Sequence, residues 1–166
     1  SNLALRLLLR LVDDYPGHAY FRGFSAPLSS LLVLARTTLH SPHFIRYTNQ
    51  GAWLGPTVMD QLTKKGMLLS RAQQGDQSFI IINTHLVANY MANWRRDSRA
   101  ARDQESQLRQ LAAVVQEQPQ DAIVLVAGDF NIPRGSWLYS EFLERSGMFD
   151  PLAGDMRPTY RPFPGV

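Results

Sequence analysis

The sequence predicts an α/β fold with mixed, largely antiparallel sheets and flanking helices. Three observations carry this. Short apolar strand candidates interleave with helical stretches along the chain. Neighbouring strand candidates are joined by turns too short for a helical crossover, which favours antiparallel pairing. The 166 residues are 45% hydrophobic and 19% charged, enough for one core and short of two comfortable ones.

The elements follow in order. Residues 3–13, beginning LALRLLLRLV, read as an apolar helix stopped by Asp13-Asp14-Tyr15-Pro16-Gly17. The helix is too short to span a membrane and lacks a small-residue cleavage site. His18–Arg22, Leu31–Arg36 and Phe44–Thr48 are strand candidates. Trp53–Lys65 is mixed and turn-rich. Met67–Ala72 and Ser78–Asn83 flank Gln73-Gln74-Gly75-Asp76, a hairpin pattern. Ser98–Glu117 is the clearest helix, with Ala101, Leu108, Leu111, Ala112 and Val115 at helical spacing. Pro119 ends it. Ala122–Ala127, AIVLVA, has the composition of a strand buried on both faces. Ser136–Ser146 is a short helix capped by Ser136 and ended by Gly147.

Composition excludes several classes. With no cysteine there are neither disulfides nor thiolate metal sites. The glycines match neither a dinucleotide nor a Walker loop. A net charge of +3 is too modest to mark a nucleic-acid footprint. Arginine dominates the basic residues, the only lysines being Lys64 and Lys65, and arginine suits bidentate phosphate contact. Arg95, Arg96, Arg99 and Arg102 crowd the start of the long helix, where basic charge opposes the macrodipole. They form either a solvated face or a contact for phosphate or lipid headgroups. Trp94 beside them either packs on the helix or sits at a membrane interface. His18, His40 and His43 have no ligand-like spacing and read as surface residues.

Chemistry concentrates in two stretches. Ile80-Ile-Ile-Asn-Thr-His-Leu86 is a strand ending in Asn83, Thr84 and His85. Val124-Leu-Val-Ala-Gly-Asp-Phe-Asn-Ile-Pro133 is a strand ending in Gly128, Asp129 and Asn131. Strand ends hold functional groups rigidly while loops expose them. If the backbone stays extended, Asp129 and Asn131 point the same way, a carboxylate beside an amide. That pairing suits activating water next to an oriented phosphate. Taken singly, His85 reads more readily as a structural hydrogen-bonder than as a catalyst, and Gly-Asp-x-Asn as a turn that satisfies its own backbone.

Together, Asn83-Thr84-His85-Leu86, a helix carrying Gln107-Leu108, a hydrophobic strand and Gly128-Asp129-Phe130-Asn131 resemble the endonuclease/exonuclease/phosphatase superfamily, the DNase-I-like fold. Asp150 and Thr159-Tyr160 resemble its downstream layout. Asp60, Lys64-Lys65-Gly66, the strand Met67–Arg71 and the Thr84–Tyr90 stretch resemble its neutral-sphingomyelinase side. The resemblance implies a four-layer α/β sandwich, here partial, and a metal-dependent phosphodiesterase or phosphomonoesterase with Mg²⁺ or Mn²⁺ as cofactor. It assigns His85 to the scissile phosphate, Asp129 to the attacking water or the metal, and Asn131 to a phosphate oxygen. Arg95, Arg99 and Thr159 are expected to contact substrate, which is a nucleic acid, a phospholipid or a small phosphate ester.

The chain departs from that pattern at both ends. The family's upstream Asn and metal-binding Glu have no match, because Glu105, Glu117, Glu141 and Glu144 all lie late in the chain. The family's final Asp-His pair is absent, since no histidine follows His85. The expectation is therefore one domain over residues 3–166, incomplete at both termini and inactive alone, with Ser1-Asn2 a tag remnant. A non-catalytic module that binds a phosphorylated partner or lipid through its arginines is the alternative. An unrelated α/β domain in which both motifs are coincidental is the third reading. Truncated sheet edges would invite self-association.

Overall fold

The computed structural model describes residues 14–20, 31–51, 64–155, 157 and 159. The expected helix over 3–13 and most of Trp53–Lys65 lie outside them. The described elements are β1 (Gly17–Tyr20), β2 (Leu32–Ala35), β3 (His40–Arg46), β4 (Gly66–Gln74), β5 (Gln77–His85), α1 (Arg99–Gln116), β6 (Ile123–Asp129) and α2 (Trp137–Ser146). β1 and β2 form an antiparallel pair. A second sheet has the order β3-β4-β5-β6, antiparallel except for the parallel pair β5–β6.

The hairpin β4–β5 turns at Gly75, as the Gln-Gln-Gly-Asp run predicts, and pairs Gly66 with His85 at its open end. β5 then has to cross over to run parallel to β6, and α1 makes that crossover. One face of the larger sheet presents Met67, Ile80, Ile82, Val124 and Val126 to Leu108, Leu111, Ala112 and Val115 of α1 and to Leu138 and Phe142 of α2. On the opposite face Leu68 packs with Ala19 and Leu31, so the small sheet covers that side. The described residues thus stack as small sheet, large sheet and helices.

α1 forms over the span that its apolar spacing predicts. Its buried stripe also includes Gln104 and Gln107, both fully buried. α2 begins at Ser136, whose hydroxyl accepts a hydrogen bond from the Tyr139 N–H at 3.3 Å, and closes at Gly147.

Two strands differ from expectation. β3 starts at His40, four residues early, and ends at Arg46. Its pairing slips between His40 and His43, with Ser41 at φ 50°, so Ser-Pro hides a bulged strand start that local pattern reads as loop. β6 is not buried on both faces. Ile123 and Leu125 remain 42% and 49% exposed, because among the described residues β6 is the last strand of its sheet and only its helix face is covered. Its two-sided apolar composition is that of a covered strand.

Candidate functional site

Parallel pairing places the C-terminal ends of β5 and β6 side by side, with His85 opposite Asp129. His85 Nε2 lies 3.6 Å from Asp129 Oδ2, with the carboxylate largely exposed and the imidazole partly covered. The two motifs, 44 residues apart in sequence, therefore meet at one sheet end. What brings them so close is Gly128. It pairs with Thr84 and has φ 138°, and a Cβ there would lie 1.9 Å from the Thr84 carbonyl oxygen. Glycine supplies the close approach that no side-chain-bearing residue can match.

Beyond Asp129 the backbone leaves the extended conformation. Asn131 has φ 51°, and its N–H donates to Asp129 Oδ1 at 3.1 Å. The expected parallel pointing of Asp129 and Asn131 is replaced by an Asx turn. The Asn131 amide donates to the Leu86 carbonyl at 3.0 Å, tying the exit of β6 to the exit of β5. The buried Gln104 braces both exits, donating from Nε2 to Asn131 O at 2.8 Å and to Val87 O at 3.1 Å. Gln107 completes the brace by accepting from Val87 N and donating to Asn49 O.

The sequence pattern missed one member. Lys65 is only 3% exposed, which is rare for lysine, and its Nζ lies 2.7 Å from His85 Nε2. An ammonium group only donates, so the imidazole Nε2 accepts and the ring proton sits on Nδ1. Lys65 precedes Gly66, which pairs with His85 across β4–β5, so strand register delivers it. The scarcity of lysine and its place just before a glycine-led strand were the available signals.

The remaining candidates lie further out. Arg95 is exposed on the β5–α1 connection and pairs with Asp97 at 3.2 Å. Arg99 is exposed in the first turn of α1, and Thr159 is exposed near the chain's end. Asp150 belongs to a local clamp, accepting from Arg134 at 2.9 Å and from Tyr139 at 3.0 Å. The backbone N–H of Leu152, with Tyr139 and Arg134, holds its carboxyl below the usual carboxylate range. Trp94 packs against the main core, and its carbonyl accepts from Trp137 Nε1.

The family model for the endonuclease/exonuclease/phosphatase family matches residues 6–166. The chain belongs to that family. Solved structures agree on the DNase-I-like fold. SmcL aligns with a TM-score of 0.72 and 20% identity over 90% of this chain and 54% of its own. Sphingomyelinase C from Streptomyces griseocarneus gives 0.69 and 20% over 88% and 53%. A beta toxin from Staphylococcus aureus with bound magnesium ions gives 0.66 and 16% over 90% and 55%. The chain spans about half the length of each of these structures. No curated protein sequence matches it. Family members include hydrolases such as sphingomyelinase.

Whether the described residues fit a divalent cation can be read from the donors. Magnesium takes hard oxygen ligands, commonly one or two carboxylates. At this sheet end Asp129 supplies one. Among the described residues no three His, Cys, Asp or Glu side chains gather that could hold an ion. They do not make a complete metal cage by themselves.

Proposed function

We propose that this chain carries the phosphate-handling core of a divalent-metal-dependent phosphoester hydrolase. The observation that carries the reading is the Lys65–His85–Asp129 cluster at the joined ends of β4, β5 and β6. In phosphoryl transfer the protein's task is chiefly positioning and charge stabilisation. Lys65 would donate to a phosphate oxygen and offset the charge that builds as water adds to phosphorus, with His85 holding the ammonium through Nε2 until the phosphate arrives. Asp129, exposed and anionic, is placed to orient that water or accept its proton, while the ester oxygen departs. Asn131, with its amide nitrogen on Leu86, serves by fixing Asp129 and the β5 exit. Arg95, Arg99 and Thr159 would meet substrate beyond the phosphate. Magnesium or manganese is the implied ion, and among the described residues Asp129 would be the carboxylate available to it. The 166 residues alone are expected to be inactive. A non-catalytic phosphate- or lipid-binding module is the second reading, favoured by the arginines around α1.

The test is magnesium-dependent hydrolysis of bis(p-nitrophenyl) phosphate by the longest natural chain containing this sequence. Asp129→Ala should lose about 10²–10⁴-fold in rate, and Lys65→Met about 10²–10³-fold, with partial rescue in Lys65→Arg. Full activity in Asp129→Ala would refute the proposal. Activity of the isolated 166-residue chain would refute its dependence on further residues.

A further inference from the structure

We infer that the β5–α1 connection is a docking surface for an anionic phospholipid bilayer, presented at the same sheet end as His85 and Asp129. The first observation is charge. Residues 88–102 contain four arginines (Arg95, Arg96, Arg99 and Arg102) and a single acid, Asp97. The whole chain has seventeen basic and fourteen acidic residues for a net +3, so the other residues sum to neutrality. This short surface segment thus carries a net +3, with Arg95 paired to Asp97 and Arg96 4.0 Å from Glu141. Helix chemistry does not call for it there: the first turn of α1 has no acidic residue, and the basic side chains oppose its dipole.

The second observation is an apolar tip. Asn89 is buried and builds a tight turn. Its carbonyl accepts from Ala92 N at 2.9 Å, its amide donates to Asn93 O at 2.9 Å, and its Oδ1 accepts from Asn93 N at 3.3 Å. This turn holds Tyr90 and Met91 outward at 59% and 81% exposure. The base of the segment is fixed as well. Arg96 lies over the Trp137 ring at 4.2 Å, and Trp137 holds the Trp94 carbonyl. A prefolded turn with an aromatic and a thioether at its tip and guanidinium groups behind it matches a bilayer interface, where apolar tips enter and cations meet headgroups.

The third observation is position. β5 and β6 are parallel, so the loops that leave them emerge at one end. Asn131 and Gln104 bind the first residues of this connection directly. A surface held by Tyr90 and Met91 would face the Lys65–His85–Asp129 end. Docking names the lipid surface as the partner in the hydrolase reading, yet it is measured without turnover, so either can fail alone.

The chain has no cysteine, so Met91→Cys gives a single site for an environment-sensitive dye. Asp76→Cys, at the β4–β5 turn on the opposite end of β5, is the control. With vesicles of phosphatidylcholine and phosphatidylserine, the dye at 91 should shift to the blue and brighten several-fold while the dye at 76 stays unchanged. Arg95→Gln, Arg96→Gln and Arg99→Gln combined should weaken partitioning about a hundredfold. The unlabelled Tyr90→Ser, Met91→Ser protein should lose sedimentation with these vesicles while keeping its circular dichroism. An unmoved dye at 91, an equal shift at 76, or unchanged partitioning of either variant would overturn the inference. A response to a single-stranded oligonucleotide with none to vesicles would also overturn it, in favour of nucleic acid.

Discussion

Replacing Gly128 by alanine tests the close approach that joins the two halves of the site. The new Cβ would start 1.9 Å from Thr84 O and 2.8 Å from Thr84 C and N, against a floor of 3.0 Å for real contacts. The obstacle is backbone, so no rotamer change relieves it. β5 and β6 must separate by more than an ångström beside the His85–Asp129 pair. Overpacking of this kind costs about 1–3 kcal/mol. A φ of 138° adds strain of about 1–3 kcal/mol for a residue with a side chain. The expected loss is therefore about 4 kcal/mol, read as a urea midpoint lowered by about 2 M at an m-value of about 2 kcal/mol/M. Gly75→Ala separates sterics from backbone strain, because Gly75 also has positive φ (58°) but nothing within 4 Å of where a Cβ would stand. It should cost about 1 kcal/mol. Equal losses at the two positions, or a loss below about 1 kcal/mol at Gly128, would refute the close-approach argument.

Two further outcomes follow from buried polar groups. Gln104→Leu keeps the volume but removes the donors to Val87 O and Asn131 O. Leaving those carbonyls unpaired should cost about 2–4 kcal/mol in urea unfolding, and a loss under about 0.5 kcal/mol would remove Gln104 as the brace. Tyr47 is buried with its hydroxyl 2.5 Å from Thr84 Oγ1, and desolvation raises its pKa well above the ordinary phenol range, outweighing the Thr84 hydrogen bond. Stability tied to the neutral phenol is complete below the unfolded pKa and is lost as pH rises toward the folded one. Between about pH 8 and about pH 11.5 the wild type should lose about 2 kcal/mol more than Tyr47→Phe, and parallel pH profiles would refute it.

How legible each part was depends on the range of the interaction that sets it. α1 and α2 are local: apolar spacing, a Ser136 cap and a glycine stop specify them, and the structure keeps those limits. The β4–β5 hairpin is equally local, since Gly75 marks its turn. The start of β3 was not legible, because its slip between His40 and His43 is decided by pairing with β4 rather than by Ser41-Pro42 itself. The exposure of β6 was not legible either, because composition reports which faces a strand is suited to cover and not which neighbours are present. His85 and Asp129 were legible as motifs, and their meeting required only that β5 and β6 be parallel neighbours. Lys65 was not: nothing within a few residues of it indicates that Gly66 pairs with His85.

That register gives the cluster a physical logic. A buried lysine is tolerated when its ammonium keeps a partner, and His85 supplies one at the edge of solvent. The same contact takes up the imidazole Nε2, so an incoming phosphate would compete with His85 for Lys65 rather than meet an unpaired buried charge. The exposed Asp129 carboxylate approaches the same Nε2, at 3.6 Å. Rigidity comes from behind. Gln104 and Gln107 interrupt the apolar stripe of α1 where the exits of β5 and β6 need backbone partners, and below them the stripe returns to Leu108, Leu111 and Val115. The helix therefore secures the sheet through its apolar half and the site loops through its polar half. A substitution that spares the first and removes the second should loosen the Asp129–Asn131 turn while leaving the β4–β5 core folded.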